Sequence, residues 1–340
     1  MTQYQRLPDP GEGLRLHLNE NTGGCSPAVL DALRSLTAED IAFYPSYADV
    51  ERETAAHLGI AERWMALVNG LDEGLHAVSA LALRPGAQVM KSVIPEPAFE
   101  MYAACTAAAG AVAVRIPPRD GFEFPIDDIR AAVDDRTRLI YLTNPNNPTG
   151  LTVPSATIAE LAGELPAVTV LVDEAYIDFG GETMLPWLDA RRNVIVGRTF
   201  AKAYGLAALR AGCLIAHPET LEPVRQTLSP YNLNVAAAAA LRAAIRDTAW
   251  HDRYVRESAE SRRAIYAFCD TRGLSYYESA ANFVLVRIGD RAPDVTRSLA
   301  ARGIFIRDRS TQPGCAGCVR ITAGLVDHTG RCLDALGALL

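Results

Sequence analysis

The chain has 340 residues, 49% of them apolar and 21% charged, with a formal net charge of −7. That supplies a sizeable core and excludes a small disulfide-stapled or disordered protein, while the acidic balance leaves no electrostatic footprint for nucleic acid. Apolar runs break well short of the roughly 18 to 20 residues a membrane helix needs, and the start, MTQYQRLPDPGEG, has no apolar signal core, so a soluble, unexported, cytoplasmic chain with reduced thiols is expected.

In chain order, the periodicity predicts a helix over 72–83, a strand over 87–90, a helix over 98–109 and strands over 111–116 and 139–143. A helix over 155–164 and strands over 168–172, 194–197 and 212–216 follow. This alternation is the signature of βαβ units around an open, mainly parallel sheet. From Val235 to about Arg272 the pattern is helical, with room for a break around 248–251; strands are then expected over 282–288, 303–307 and 318–322, with one helix between the first two and another closing the chain. The predicted class is α/β. A large domain over 40–235 is joined by a smaller α+β unit made from 1–39 and 236–340.

Open α/β sheets bind ligands outside the carboxyl ends of their strands. Four segments follow a strand candidate or sit at the start of a helix: Val68-Asn69-Gly70-Leu71-Asp72-Glu73, Asn144-Pro145-Asn146-Asn147-Pro148-Thr149-Gly150, Val172-Asp173-Glu174-Ala175-Tyr176, and the run from Arg198 through Lys202 to Arg210. Together they offer a carboxylate, an amide, a phenol, an amine, a guanidinium and a helix N-terminus, which is the inventory for holding pyridoxal phosphate. That cofactor acts as an electron sink only while its ring nitrogen stays protonated, and Asp173 can supply the negative partner. Tyr176 and Asn147 are the neutral groups available to the ring's 3-oxygen. The aldehyde needs a lysine, and the chain has two, Lys91 and Lys202; only Lys202 has polar company. Backbone N–H groups of Gly70, Leu71 and Asp72, with Arg210, suit the phosphate. Phe99 or Tyr102 can stack on the ring.

Other groups read more plainly. Strand alternation turns Glu174 away from Asp173. Asp308 and Arg309 beside Arg307 read as a surface charge cluster. His17 reads as structural or solvent-exposed. The Cys315-Ala316-Gly317-Cys318 pair lacks the second pair a zinc site needs, and a redox disulfide there has only its spacing in favour.

These residues resemble the fold-type I pyridoxal-phosphate aminotransferases, and within them the histidinol-phosphate aminotransferases. The likeness spans about 16–324 through Asn19-Glu20-Asn21, Tyr44-Pro45, Asn69-Gly70, Pro97-x-Phe99, the Asn-Asn-Pro-Thr-Gly run, Asp-Glu-Ala-Tyr, the run ending at Arg210, Pro230-Tyr231-Asn232, Asn282-Phe283, Ile306-Arg307-Asp308 and Arg320-Ile321-Thr322. It implies that Lys202 bonds the cofactor and moves the Cα proton, that Phe99 stacks on the ring, and that Tyr44 reaches the phosphate of a neighbouring subunit. A homodimer with shared active sites follows. It further implies Arg320, Arg307 and Asn21 on the substrate, with an amino donor and a keto acid such as 2-oxoglutarate exchanging the amino group. Two departures stand out: Thr22-Gly23-Gly24-Cys25 replaces the usual Pro-Tyr-Gly, and Ala201 replaces a serine that binds cofactor phosphate. The alternatives are an aminotransferase for another aromatic or specialised-pathway amino acid, or a decarboxylase or oxidase using the same cofactor.

Overall fold

The computed structural model describes residues 11–84 and 86–340; residues 1–10 of the expected N-terminal unit lie outside the described residues. A seven-stranded sheet runs in the order Met65–Asn69, Ala211–Ala216, Val194–Thr199, Thr169–Asp173, Thr137–Thr143, Lys91–Pro95, Val112–Ile116. All neighbours pair in parallel except Ala211–Ala216, which runs antiparallel to both of its neighbours. The strands are apolar on both sides because helices cover both faces. Alternation sends Ile140, Leu142, Val170, Val172, Val194 and Val196 into one core and Leu139, Tyr141, Leu171, Ile195 and Leu214 into the other.

The strand expected over 87–90 is displaced. Its residues lie in an exposed connection, with Val89 54% exposed, and the strand is the buried Lys91–Pro95 that follows. Lys91 therefore opens this strand at the edge away from the carboxyl ends, where its ammonium pairs with Asp134. The Met65–Asn69 strand was absent from the sequence expectation: four of its five residues are buried, so no alternation marks it. The helical stretch from Val235 does break, at Asp247, which ends the Val235–Arg246 helix and caps the Thr248–Arg272 helix by accepting from the Trp250 amide. Gly273, in the left-handed region at φ 63°, closes the longer helix.

The second sheet is antiparallel, in the order Arg307–Asp308, Cys318–Thr322, Phe283–Arg287, Ser275–Tyr276. The strand expected over 303–307 is two short pieces: Ile304–Phe305 pairs in parallel with Leu14–Arg15, and Arg307–Asp308 joins the antiparallel sheet. We propose the division of the chain at 39/40 and 235/236 as a description of two units, with blurred borders. Val29 of the Pro27–Arg34 helix and Ala237 and Leu241 of the Val235–Arg246 helix pack in the large-sheet core, and the Thr248–Arg272 helix contributes Tyr254 to that core and Ile265 and Cys269 to the small one. Among the described residues no helix is long and apolar enough to cross a membrane, and no His, Cys, Asp and Glu group is arranged to hold a metal ion.

Candidate active site

The carboxyl ends of Met65–Asn69, Thr137–Thr143, Thr169–Asp173 and Val194–Thr199 meet the small sheet around a cavity of about 300 Å³. Asp173 is the last residue of its strand and is buried. Its carboxylate accepts from the Tyr102 hydroxyl at 2.8 Å and from the Ala175 amide at 3.0 Å. Burial pushes its pKa up to about 6, against the pull of those two donors. Glu174, one residue on, faces the other way as alternation requires, and pairs with Arg198 at 2.8 Å.

Lys202 lies in the connection between the antiparallel strands Val194–Thr199 and Ala211–Ala216. That connection closes on itself through the Leu206 amide to the Phe200 carbonyl, and Gly205, at φ 72°, sits where a Cβ would come within 2.5 Å of the Gly24 carbonyl oxygen. The Lys202 ammonium donates to the Leu18 carbonyl at 3.0 Å. Burial first, then the Arg320 charge, lowers its pKa to about 8.

Tyr176 is buried. Its hydroxyl accepts from Asn19 Nδ2 at 3.1 Å and from Asn147 Nδ2 at 3.2 Å, leaving its own hydrogen to donate into the cavity. Phe99 lines the cavity, whereas Tyr102 is spent on Asp173 and lies edge-on to Phe99, with ring centroids 5.8 Å apart. Of the two aromatic candidates, only Phe99 is in the lining.

At the other end of the cavity, Gly70 takes φ 77° before the Leu71–Ala82 helix, whose first amides have no intrahelical partner. A Cβ on Gly70 would stand 2.5 Å from the Arg210 guanidinium, so glycine is what lets that cation lie against the helix start. Arg210 is itself in the left-handed region at φ 59°, and its guanidinium holds Asp72 at 2.8 Å.

The small sheet supplies a cationic wall. Arg307 and Arg320 are directly opposed cross-strand partners, and both line the cavity. Arg320 is buried, donating to the Asn147 side-chain oxygen and, at 2.7 Å, to the His17 carbonyl; its Nε has no hydrogen-bond partner among the described residues. His17 is buried in this cationic corner, where desolvation and then Arg15 hold its pKa down at about 4, so it is neutral near pH 7.

Two placements differ from expectation. Arg309 is no surface charge: its side chain is 8% exposed and lines the cavity. Alternation from Arg307 carried that signal, because residues two apart share a face of a strand. Asn21, expected on the substrate, does not line this cavity; it donates to the Ala203 carbonyl at 2.8 Å and accepts from the Gly23 amide at 2.8 Å, which spends both ends of the amide. Gly23, where the family resemblance lacks its tyrosine, also lies outside the lining, against Leu325. Tyr44 is 78% exposed away from the cavity and stacks on Tyr231 at 4.2 Å. Sequence reasoning passed over Asn19, Glu20, Glu100 and Thr199, all in the lining. Asn19 and Glu20 stood in a motif already singled out, and Thr199 ends a recognised strand. Cys315 and Cys318 are buried with Leu285, Phe122 and Tyr277, and burial pushes the Cys315 thiol up to about 12.

The lining fits a pyridoxal phosphate on three observations. A fully buried carboxylate has a phenol and an amide on it rather than a cation, a helix start offers free amides beside an arginine that a Cβ would displace, and a buried amine stands among the same lining residues.

Residues 12–332 match the model of the family described as aminotransferase class I and II. A histidinol-phosphate aminotransferase of Anoxybacillus flavithermus is 35% identical over 338 residues, which cover 96% of this chain and 88% of the relative. Histidinol-phosphate aminotransferase 2 of Ralstonia nicotianae is 35% identical over 341 residues, with the same two coverages, 96% and 88%. Among solved structures, the histidinol-phosphate aminotransferase of Sinorhizobium meliloti, in complex with pyridoxal-5'-phosphate, superposes with a TM-score of 0.86 at 28% identity, over 97% of this chain and 92% of that one.

Proposed function

This chain belongs to the aminotransferase class I and II family, and on that premise we propose that its amino donor is L-histidinol phosphate and its acceptor a keto acid such as 2-oxoglutarate. It is a pyridoxal-phosphate-dependent transaminase of fold type I, working on an amino and a keto-acid substrate. The cofactor, when bound, accepts the electron pair left on the substrate's Cα as that carbon loses its proton.

The residues divide the work as follows. Asp173, desolvated and lacking a cation of its own, keeps a ring nitrogen protonated. Tyr176 and Asn147 donate to the ring's 3-oxygen, with Asn19 fixing the phenol from behind. Phe99 covers one ring face, while Gly70, Leu71, Asp72 and Arg210 hold the phosphate. Lys202, with an amine pKa near 8, holds the cofactor and then takes and returns the proton at Cα; such a pKa leaves a useful neutral fraction at neutral pH.

The observation that carries the donor assignment is the Arg307 and Arg320 register. Like charges placed directly opposite destabilise a sheet, so their presence in the cavity wall asks for a doubly charged anion between them. The relatives of Anoxybacillus and Ralstonia support the same donor. We also read the exposed Phe43, Tyr44 and Tyr231 as one side of a homodimer in which Tyr44 reaches the partner's phosphate site.

The test is an absorption titration of the protein with pyridoxal phosphate, then with L-histidinol phosphate, in wild type and Lys202→Ala. A lysine-dependent visible band that L-histidinol phosphate converts to the amine form of the cofactor is the expected result. A band that this amine leaves unchanged while another amino acid converts it would overturn the donor.

A further inference from the structure

This wall of the cavity holds more positive charge than the two opposed arginines. Arg309 extends the same edge: its backbone N–H donates to the Cys318 carbonyl at 2.9 Å, continuing the ladder past Arg307–Asp308, so that Arg307 and Arg309 share a face. Both line the cavity with Arg320. The Arg309 Nη1 donates to Glu100 Oε1 at 3.2 Å, and its Nε is buried with no hydrogen-bond partner. Three guanidiniums therefore meet one carboxylate here, because Glu20, the other acid on this side, is held by Arg15 at 2.8 Å.

The two members of the Arg309–Glu100 pair are not equally fixed. Arg309 is 8% exposed at its side chain, whereas Glu100 is 38% exposed, next to Phe99 on the rim. A half-open carboxylate can swing to water with little desolvation cost; a buried guanidinium cannot leave without losing the one carboxylate that pairs with it among the described residues. Gln312 adds a second handle on the acid, its amide nitrogen donating to Glu100 at 3.3 Å and to the Ala98 carbonyl at 3.4 Å.

We propose that Arg309 is a specificity-determining residue, the third guanidinium of a subsite for a doubly charged phosphate group on the substrate, and that Glu100 is the carboxylate it exchanges for that group. The identity of the anion as a substrate phosphate rests on the donor assigned above; the exchange itself rests on the geometry. Burial and the neighbouring Arg309 and Arg307 charges hold the Arg320 pKa well below its ordinary value, so the cluster gains from any anion that replaces a single carboxylate with two charges. When the phosphate departs, Glu100 returns and keeps Arg309 from standing unpaired.

The test titrates inorganic phosphate into the pyridoxal-phosphate-loaded protein by calorimetry, so that the cofactor's own phosphate site is filled. Arg309→Gln is expected to weaken inorganic phosphate about tenfold or more, and Glu100→Gln to tighten it about threefold or more. The opposite signs are the signature, since a purely structural ion pair would lose affinity in both variants. Loss in both, no change in Arg309→Gln, or no measurable binding by wild type would each overturn the exchange. L-histidinol phosphate is titrated separately: if it fails to bind while inorganic phosphate follows the expected signs, the donor assignment falls and the subsite stands.

Discussion

At the Gly70 end of the cavity an anion would meet backbone: a helix start with free amides, a glycine at φ 77° and one guanidinium, Arg210, that is 42% exposed at its side chain. At the Arg320 end it would meet side chains, three arginines brought together by strand register, two of them, Arg309 and Arg320, buried with an Nε that has no hydrogen-bond partner among the described residues. The first end is cheap to keep empty, because its amides and its arginine can be hydrated and Asp72 already answers Arg210. The second is costly to keep empty, because buried like charges sit face to face. A permanent tenant suits a site whose shape is set by backbone, and a visiting one suits a site whose charge is released by binding. That is the division expected of a cofactor phosphate and a substrate anion.

The sharpest way to break this contrast is Arg320→Lys. Losing the planar fork that reaches both Asn147 and the His17 carbonyl should lower kcat/KM for L-histidinol phosphate by about two to three orders of magnitude, from charge-assisted bonds of roughly 1.5 to 3 kcal/mol each. Affinity for pyridoxal phosphate should stay within a few-fold, and equal losses in both would dissolve the distinction between the two ends. Gly70→Ala attacks the other end. It forces a side chain into the left-handed region at about 1 to 2 kcal/mol and drives Arg210 aside, so cofactor affinity should fall about tenfold while the donor KM at saturating cofactor holds.

Ala201→Ser is a smaller change in the opposite direction. Ala201 lines the cavity, and a hydroxyl there restores a phosphate donor, with about a three- to tenfold gain in cofactor affinity expected from a fluorescence or absorbance titration. The smallest effect links the ends. The neutral Lys202 amine is the reactive form, and burial sets its pKa near 8, so the rate of cofactor capture by the free protein should rise with pH and level off above about 8. Arg320 is the charge that lowers this pKa most after burial, so Arg320→Gln should move the midpoint upward by a fraction of a unit. A stopped-flow pH profile reads both.

Much of this was written in local sequence. The parallel-sheet pattern, the helix over 155–164 and the strand over 318–322 needed only periodicity, and the structure returns Ser155–Glu164 and Cys318–Thr322. A lysine-poor composition narrowed the amine to Lys202, and the run of Asp173 and Tyr176 after an apolar strand placed the acid and the phenol together, because a strand end and the turn after it are set by nearest neighbours. The displaced strand at Lys91–Pro95 and the unrecognised one at Met65–Asn69 show the limit: buried strands lack alternation, and an apolar run does not say which of its halves is covered.

What only the tertiary structure decided concerns residues whose environment comes from far along the chain. Arg309 read as surface charge because its neighbours in sequence are charged, yet pairing with the strand around Arg320 and contact with Glu100, 209 residues away, bury it in the cavity wall. Asn21 read as a substrate ligand because the family resemblance implied it, yet Ala203, 182 residues on, takes its amide. Sequence determines which groups are available and on which face of a local element they lie. Burial, charge pairing and the sharing of one cavity by two sheets depend on contacts that close long loops, and those are properties of the folded chain alone.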